Sequence, residues 1–254
     1  MENFESIKEI VIKEFSADNV QESYREQTRK GLWPSEKIIY TKYFKKGFSV
    51  LDIGCGSGRT TFQLAKMGYK IIGLDLTPAM INSAKNFCKE FKMKMDFRLG
   101  DATKLEFKNQ SFDNAIFSFA GWDQVPGRKN RLKVLEEVYR VIRPNGYFIF
   151  TSHIRTYLSK WCFLWLIQFI KMYILRYLRF KIKEQEWGDR FFKKAKSETF
   201  HNNQYIHIPS LKEVKKQIEK AGFELVYNDC RKNVTDNDKE VKAGNCMFFV
   251  CKKT

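Results

Sequence analysis

Two periodicities share this chain. Short apolar runs recur in its first two thirds, and stretches with a helical period lie between them. Residues 1–45 carry the helical period in two or three segments. The last of these opens at Trp33, Pro34, Ser35 and Glu36, where Pro34 suits a first helical position, and continues through Ile38, Ile39 and Tyr43. Beyond it the pattern alternates. Strands are predicted at 49–53, 69–74, 95–99, 112–118 and 147–152, and helices at 60–67, 77–91 and around Leu132, Leu135, Val138 and Ile142. Pro144, Asn145 and Gly146 stop the last helix and turn the chain into a strand. Strands separated by helices need crossover connections, so the pattern predicts an α/β fold with a mostly parallel sheet.

The last hundred residues read differently. Residues 153–205 interrupt the alternation with a long aromatic and basic stretch. A capped helix at 210–221, a strand at 223–230, a polar loop at 233–244 and a closing strand at 246–251 follow. Two strands joined without a helix predict an antiparallel pair at the end of the sheet. Inside the interruption, residues 161–170 are apolar almost all round a helix, while Lys160, Gln168, Lys171 and Arg179 share one stripe. With Lys171, Arg176 and Arg179 breaking it, the segment falls short of the ~20 apolar residues a transmembrane helix needs. The 158–180 region reads as a lid helix, or as an interfacial helix that touches membrane or takes a lipophilic substrate.

At 254 residues, with 43% hydrophobic and 15% aromatic content, the chain supports a sizeable core, which excludes wholesale disorder. The net charge of +17 predicts attraction to anions. The many basic residues at 155–196 could embrace RNA phosphates, or form a merely solvated cationic surface. The six cysteines contain no C-x-x-C pair, and only His153, His201 and His207 could assist them, so no metal site is expected. The start Met1, Glu2, Asn3, Phe4, Glu5 is acidic and lacks an apolar leader, which leads us to expect a reducing, cytoplasmic location without disulfides.

The chemistry centres on Gly54, Gly56 and Gly58, at a strand-to-helix turn. Such a turn can be purely structural, but its context adds to it. Asp75 ends the second strand, where an acid can accept from a ribose diol. Asp101 follows the third strand, placed to accept from an adenine amino group. One aspartate after a strand reads as a helix cap; three placed features in one sheet read as a nucleoside site. A dinucleotide fingerprint would need a glycine at 59, which is Arg59, and no Walker lysine follows the loop. Asp52, just before the loop, would repel a pyrophosphate and welcome an amino group.

These segments resemble the class I S-adenosylmethionine-dependent methyltransferases. The matching residues run from Val50 through Leu51, Asp52, Ile53, Gly54, Cys55, Gly56 and Ser57 to Gly58, then from Gly73 to Met80. They continue with Gly100, Asp101 and Ala102, with Ser111, Phe112 and Asp113, and from Val141 to Gly146. The resemblance implies a Rossmann-like doubly wound, seven-stranded sheet with its last strand antiparallel, N-terminal helices and a helical insertion after the fifth strand. It implies one domain: a helical cap at 1–45, a cofactor-binding core at 46–152, a lid at 153–205, and a helix and hairpin at 206–254.

It also implies that Asp52, Gly54, Cys55, Gly56 and Gly58 surround the methionine part of the cofactor. Asp75 holds the ribose beside Leu76 and Met80, Asp101 and Ala102 take the adenine, and Ser118 and Phe119 line the site. Many small-molecule members carry a His-His pair where this chain has Trp122 and Asp123, so their general base does not carry over. Asp123 and His153 are the catalytic candidates, and Tyr24, Trp122, Trp161 and Trp165 the substrate-pocket candidates. The expected reaction is methyl transfer to an O or N atom of a small or medium-sized acceptor, lipophilic or anionic. A tRNA-modifying methyltransferase is the alternative, followed by a nicotinamide-dependent oxidoreductase, against which Arg59 speaks, and a non-catalytic binding module. Nothing in the sequence indicates an oligomeric state.

Overall fold

Residues 4–156, 162–192, 204–238 and 246–254 are described in a computed structural model of the protein. Three helices lead into the sheet: α1 (Phe4–Ser16), α2 (Asp18–Lys30) and α3 (Pro34–Tyr43). Pro34 occupies the first turn of α3, where its missing N–H costs nothing, and the Glu36 carboxylate accepts from the Trp33 backbone N–H at 3.1 Å.

The alternation then becomes β1 (Ser49–Ile53), α4 (Arg59–Lys66), β2 (Lys70–Asp75), α5 (Pro78–Glu90), β3 (Asp96–Leu99), β4 (Asn114–Phe117), α6 (Arg128–Val141) and β5 (Tyr147–His153). These five strands are parallel. The insertion after β5 holds α7 (Cys162–Phe169), a π-helical turn (Ile170–Leu175), β6 (Asp189–Phe192) and β7 (Gln204–His207). The chain closes with α8 (Leu211–Lys220), β8 (Phe223–Cys230), the short α9 (Arg231–Val234) and β9 (Cys246–Lys253). The main sheet is ordered β3-β2-β1-β4-β5-β9-β8, and β9 runs antiparallel to both neighbours. The mostly parallel seven-stranded sheet with its last strand antiparallel matches the reading of the sequence.

Side-chain alternation sorts the strands into two cores. Leu51 and Ile53, Ala115 and Phe117, and Phe148 and Phe150 face α6 and α8, while Val50, Ile116 and Ile149 face α3 and α4. Chain order reverses between β1 and β4, and in doubly wound sheets ligands gather at the carboxyl ends of strands flanking such a reversal. Among the described residues no helix is long and apolar enough to cross a membrane.

The insertion differs from an all-helical lid, because β6 and β7 form an antiparallel hairpin inside it, pairing Asp189 with His207 and Phe192 with Gln204. Its buried face is polar, which hides strand periodicity from a hydrophobic reading. Fully buried Asp189 accepts from Tyr205 Oη and bonds His207 Nδ1 at 2.8 Å each, and its second oxygen takes the Gln185 and Glu186 N–H groups. Burial works to raise the Asp189 carboxyl, but the bonds from His207 and its neighbours outweigh it and hold it below the ordinary range. Glu186 in turn receives Arg131 of α6 at 2.6 Å, tying the insertion to the sheet's covering helices. The Glu186, Asp189 and His207 ligand atoms lie within 4.8 Å of one another, yet the arginine already satisfies Glu186, so the cluster is an ion-pair network.

Candidate active site

The loop after β1 turns through left-handed backbone at Gly54 (φ 61°), Gly56 (φ 55°) and Gly58 (φ 91°). A Cβ on Gly54 would lie 2.4 Å from the Phe117 ring, so only glycine lets the loop pass beneath β4. Asp75, at the tip of β2, anchors this loop: one carboxylate oxygen accepts from Gly56 N and the other from Thr77 N, both at 2.8 Å. Burial pushes its carboxyl upward against these donors. Each oxygen has a second lone pair, so the group can still accept from a ligand.

Asp101 follows β3. Its Oδ1 takes the Thr103 N–H and hydroxyl at 2.8 Å each, and Lys8 from α1 donates to Oδ2 at 2.6 Å. Burial would raise this carboxyl, yet Lys8 and Thr103 together hold it low. Asp75, Leu76, Met80, Asp101 and Ala102 all border one cavity of about 1550 Å³, as do Gly54, Cys55 and Gly56. Gly58 lies outside that lining; it carries the turn into α4, with its Cβ position filled by Phe62 and Phe97.

Asp52 does not reach the cavity. It is fully buried behind the loop, where Thr61 Oγ1 donates to Oδ2 at 2.6 Å and Oδ1 has no partner among the described residues. Burial there pushes its carboxyl up to about 7. The expectation of a direct contact with an amino group therefore gives way to a scaffolding position, facing α4 rather than ligand.

The wall beyond β4 is aromatic. Ser118 bonds Thr60 across the cavity floor at 3.1 Å, and Phe119 and Ala120 both adopt positive φ (52° and 55°). Two consecutive non-glycine residues in that region carry strain, held here by the bond from Ala120 N to Thr151 Oγ1 at 2.7 Å. The turn aims Phe119 at Trp33 (4.9 Å between centroids) and Tyr24 (6.1 Å). Tyr24 is itself edge-on to Phe15, and burial beside the Asp75 charge raises its phenol well above the ordinary range.

At the tip of β5, His153 borders the same cavity and meets Asp123. Asp123 is fully buried in a 3₁₀ turn (Gly121–Gln124); its Oδ2 accepts from His153 N at 2.8 Å and bonds Nδ1 at 2.9 Å, while Ser152 Oγ donates to Oδ1 at 2.5 Å. The two catalytic candidates thus form one unit, the carboxylate orienting the ring. Among the described residues nothing bonds Nε2.

Trp122 is displaced from its expected place. It is fully buried against Phe150 (5.3 Å) with its indole N–H on the Arg131 carbonyl, in the core beneath the pocket. Trp165 does border the cavity, its indole N–H capping the Thr156 carbonyl at 3.1 Å. Trp161 lies outside the described residues.

Two contributors escaped the sequence reading. Lys8 comes from 93 residues away with no local signal. Arg59 registers in the sequence only as a missing glycine, yet its guanidinium makes a buried, two-pronged pair with Glu36 (2.6 and 2.7 Å) and stacks on Trp33 at 4.0 Å. Both Glu36 and Trp33 precede the sheet, so the N-terminal helices and the glycine loop are clamped together.

Residues 50–146 match the family model described as a methyltransferase domain. The chain is 30% identical to the demethylmenaquinone methyltransferase of Lactococcus lactis over 186 residues, 71% of this chain and 67% of that protein. It is likewise 30% identical to the Bacillus cereus demethylmenaquinone methyltransferase, covering 72% of each. In fold it resembles a solved S-adenosylmethionine-dependent methyltransferase from Methanosarcina mazei, with a TM-score of 0.69 at 24% identity, over 88% of this chain and 98% of that one. The chain belongs to the class I S-adenosylmethionine-dependent methyltransferases, and S-adenosylmethionine is its methyl donor.

Proposed function

We propose that the enzyme methylates a flat, lipophilic small molecule whose acceptor O or N atom is deprotonated by His153. The observation that carries this is the Asp123–His153 pair, with Nδ1 engaged and His153 on the wall of a cavity that aromatic side chains also line. The cavity suits the donor: a glycine loop too crowded for any Cβ at Gly54, a carboxylate at the β2 tip and a second at the β3 tip. Asp75 would hold the ribose hydroxyls and Asp101 the adenine amino group. Its volume of about 1550 Å³ exceeds the ~300–1,000 Å³ of ordinary ligand pockets, leaving space for a second sizeable molecule.

The bound donor supplies a methyl already activated on a cationic sulfur. The protein's work is then positioning, water exclusion and proton removal. Asp123 accepts from Nδ1–H, fixing the tautomer that leaves Nε2 as acceptor, and its charge stabilises the imidazolium formed when the acceptor's proton arrives. Phe119 and Tyr24 offer flat apolar faces for a ring, backed by Trp33, and keep water away. The curated relatives named for demethylmenaquinone favour a flat, lipophilic, quinone-like ring as acceptor.

The test is transfer of label from methyl-labelled S-adenosylmethionine to a panel of reduced, demethylated naphthoquinols, with RNA and protein pools in parallel. Label on a quinol oxygen, at a rate that rises with pH and levels off, is expected, and label on a ring carbon overturns the O or N assignment. Label in RNA alone, or none with any quinol, overturns the reading.

A further inference from the structure

The outer face of the insertion is built the wrong way round for a helix in water. Of the fifteen large hydrophobic side chains exposed among the described residues, ten lie between 163 and 180. Phe163, Leu166, Ile170, Ile174 and Tyr177 follow one another at helical spacing on the outside, Phe163 69% and Tyr177 85% exposed. Several polar groups of the same segment are tied to the chain that follows it rather than spread over this face. Buried Gln168 donates to the Asp189 carbonyl at 2.6 Å, Lys171 pairs with Glu184 at 2.9 Å, and Arg176 donates to the Glu184 carbonyl at 2.6 Å. A lid that met only solvent would present the opposite face.

We propose that residues 163–180 form a docking element that lies in the headgroup region of an anionic phospholipid bilayer. Three features select this occupant. The segment is too short to cross a bilayer, and an outward apolar face without a facing groove fits the plane of an interface. Its aromatics include the interfacial kind: exposed Tyr173 and Tyr177 carry hydroxyls on apolar rings, and Tyr173 packs at a tilt against Phe169 (4.8 Å) and Trp187 (6.0 Å). Exposed cations cluster where the apolar run ends, at Arg179, Lys181 and Lys183, on a chain of net charge +17.

The inner side of the same helix borders the active-site cavity through Leu164 and Trp165. One element therefore separates bilayer from pocket. An acceptor dissolved in lipid could enter past it without crossing water; this last step alone rests on the lipophilic acceptor proposed above.

The experiment is co-sedimentation of the full chain, without acceptor, with vesicles of equimolar phosphatidylglycerol and phosphatidylcholine, and with phosphatidylcholine alone. The wild type should bind the anionic vesicles, more weakly at high salt. The triple variant Leu166→Asp, Ile170→Asp, Ile174→Asp should lower that partitioning about tenfold or more. Because those side chains face outward, circular dichroism and calorimetric affinity for S-adenosylhomocysteine should stay at wild-type values. A second variant, Arg179→Glu with Lys181→Glu, should lose only the anionic preference. Wild-type protein left in the supernatant with both vesicle types overturns the proposal, as does equal sedimentation of the triple variant. Light scattering that finds a wild-type dimer converted to monomer by the triple change would assign the face to a second copy and overturn it too. Failure of the methyl-transfer assay alongside positive sedimentation would strike the proposed acceptor and leave the docking element standing.

Discussion

The two sides of the cavity are made by different means. The side we assign to the donor is mostly local: a glycine turn, two strand tips and the residues beside them lie between Gly54 and Thr103, with backbone N–H groups and, from α1, Lys8 steadying them. The side we assign to the acceptor is assembled from distant pieces, the α1–α2 pair, the β5 tip and the β6–β7 hairpin, the latter two held by buried charges. A site whose donor half is shared and whose acceptor half is exchangeable can keep its chemistry while changing its substrate. If that division is real, damage to one side should leave the other working.

The hardest blow to the acceptor side is Asp189→Ala. It leaves the Tyr205 hydroxyl, the His207 ring and two backbone N–H groups without their shared acceptor. Removing one partner from such a buried ionic network costs about 3–5 kcal/mol. The loss should appear as faster hydrogen exchange in the hairpin, with S-adenosylhomocysteine affinity unchanged by calorimetry. An equal fall in that affinity would show the two sides to be one cooperative unit.

Next in size is His153→Ala. Removal of a positioned base should lower kcat by about a hundredfold or more, ~3 kcal/mol, while donor affinity holds. Asp123→Asn should give part of the same loss, since a neutral amide no longer stabilises the imidazolium. A full-rate His153→Ala enzyme would mean that the acceptor arrives already ionised.

The same division explains what could be read from the sequence. The sheet and the donor loop were legible because strand periodicity, helix stops and glycines are signals within a few residues of one another. Asp75 and Asp101 stand where their strand ends placed them. Asp52 was legible as part of a motif but not in its direction: residue spacing puts it before the loop, while strand pleating and Thr61 turn it toward α4. Trp122 likewise follows β4 as the pocket walls do, yet the 3₁₀ turn rotates it into the core. The β6–β7 hairpin carries Asp189 and His207 on its buried face, so the alternation that marks a strand was masked by polar partners supplied from elsewhere. Lys8 on Asp101 is a contact across most of the fold and has no local trace.

On the donor side, Asp75→Ala should weaken S-adenosylhomocysteine binding by ~1.5–3 kcal/mol, roughly 10- to 150-fold, because it removes a ligand acceptor and frees the Gly56 N–H it steadies. Asp101→Ala should cost less. Its carboxylate is already neutralised by Lys8, whose ammonium must be displaced or shared before an adenine amino group can be accepted. Calorimetry on the two variants decides the order, and an Asp101 effect larger than that of Asp75 would mean that Lys8 moves away freely.

The smallest effect on ligand affinity separates contact from scaffold. Burial raises the Asp52 carboxyl to about 7 in the folded protein, above its ordinary value of 3.8. Between those values the folded state holds a proton that the unfolded state has released. By linkage, this residue's contribution to stability therefore falls as pH rises through that window, by at most about 1.4 kcal/mol per unit. Asp52→Asn keeps a neutral acceptor for Thr61 at every pH, so its thermal stability relative to wild type should improve from pH 5 to pH 8. Its S-adenosylhomocysteine affinity should stay near wild type, unlike that of Asp75→Ala. Parallel pH profiles for the two proteins would remove the buried proton, and an affinity loss as large as that of Asp75→Ala would return Asp52 to the ligand. Either result would move the boundary between the two sides of the cavity, because a carboxylate behind the loop would then act through it.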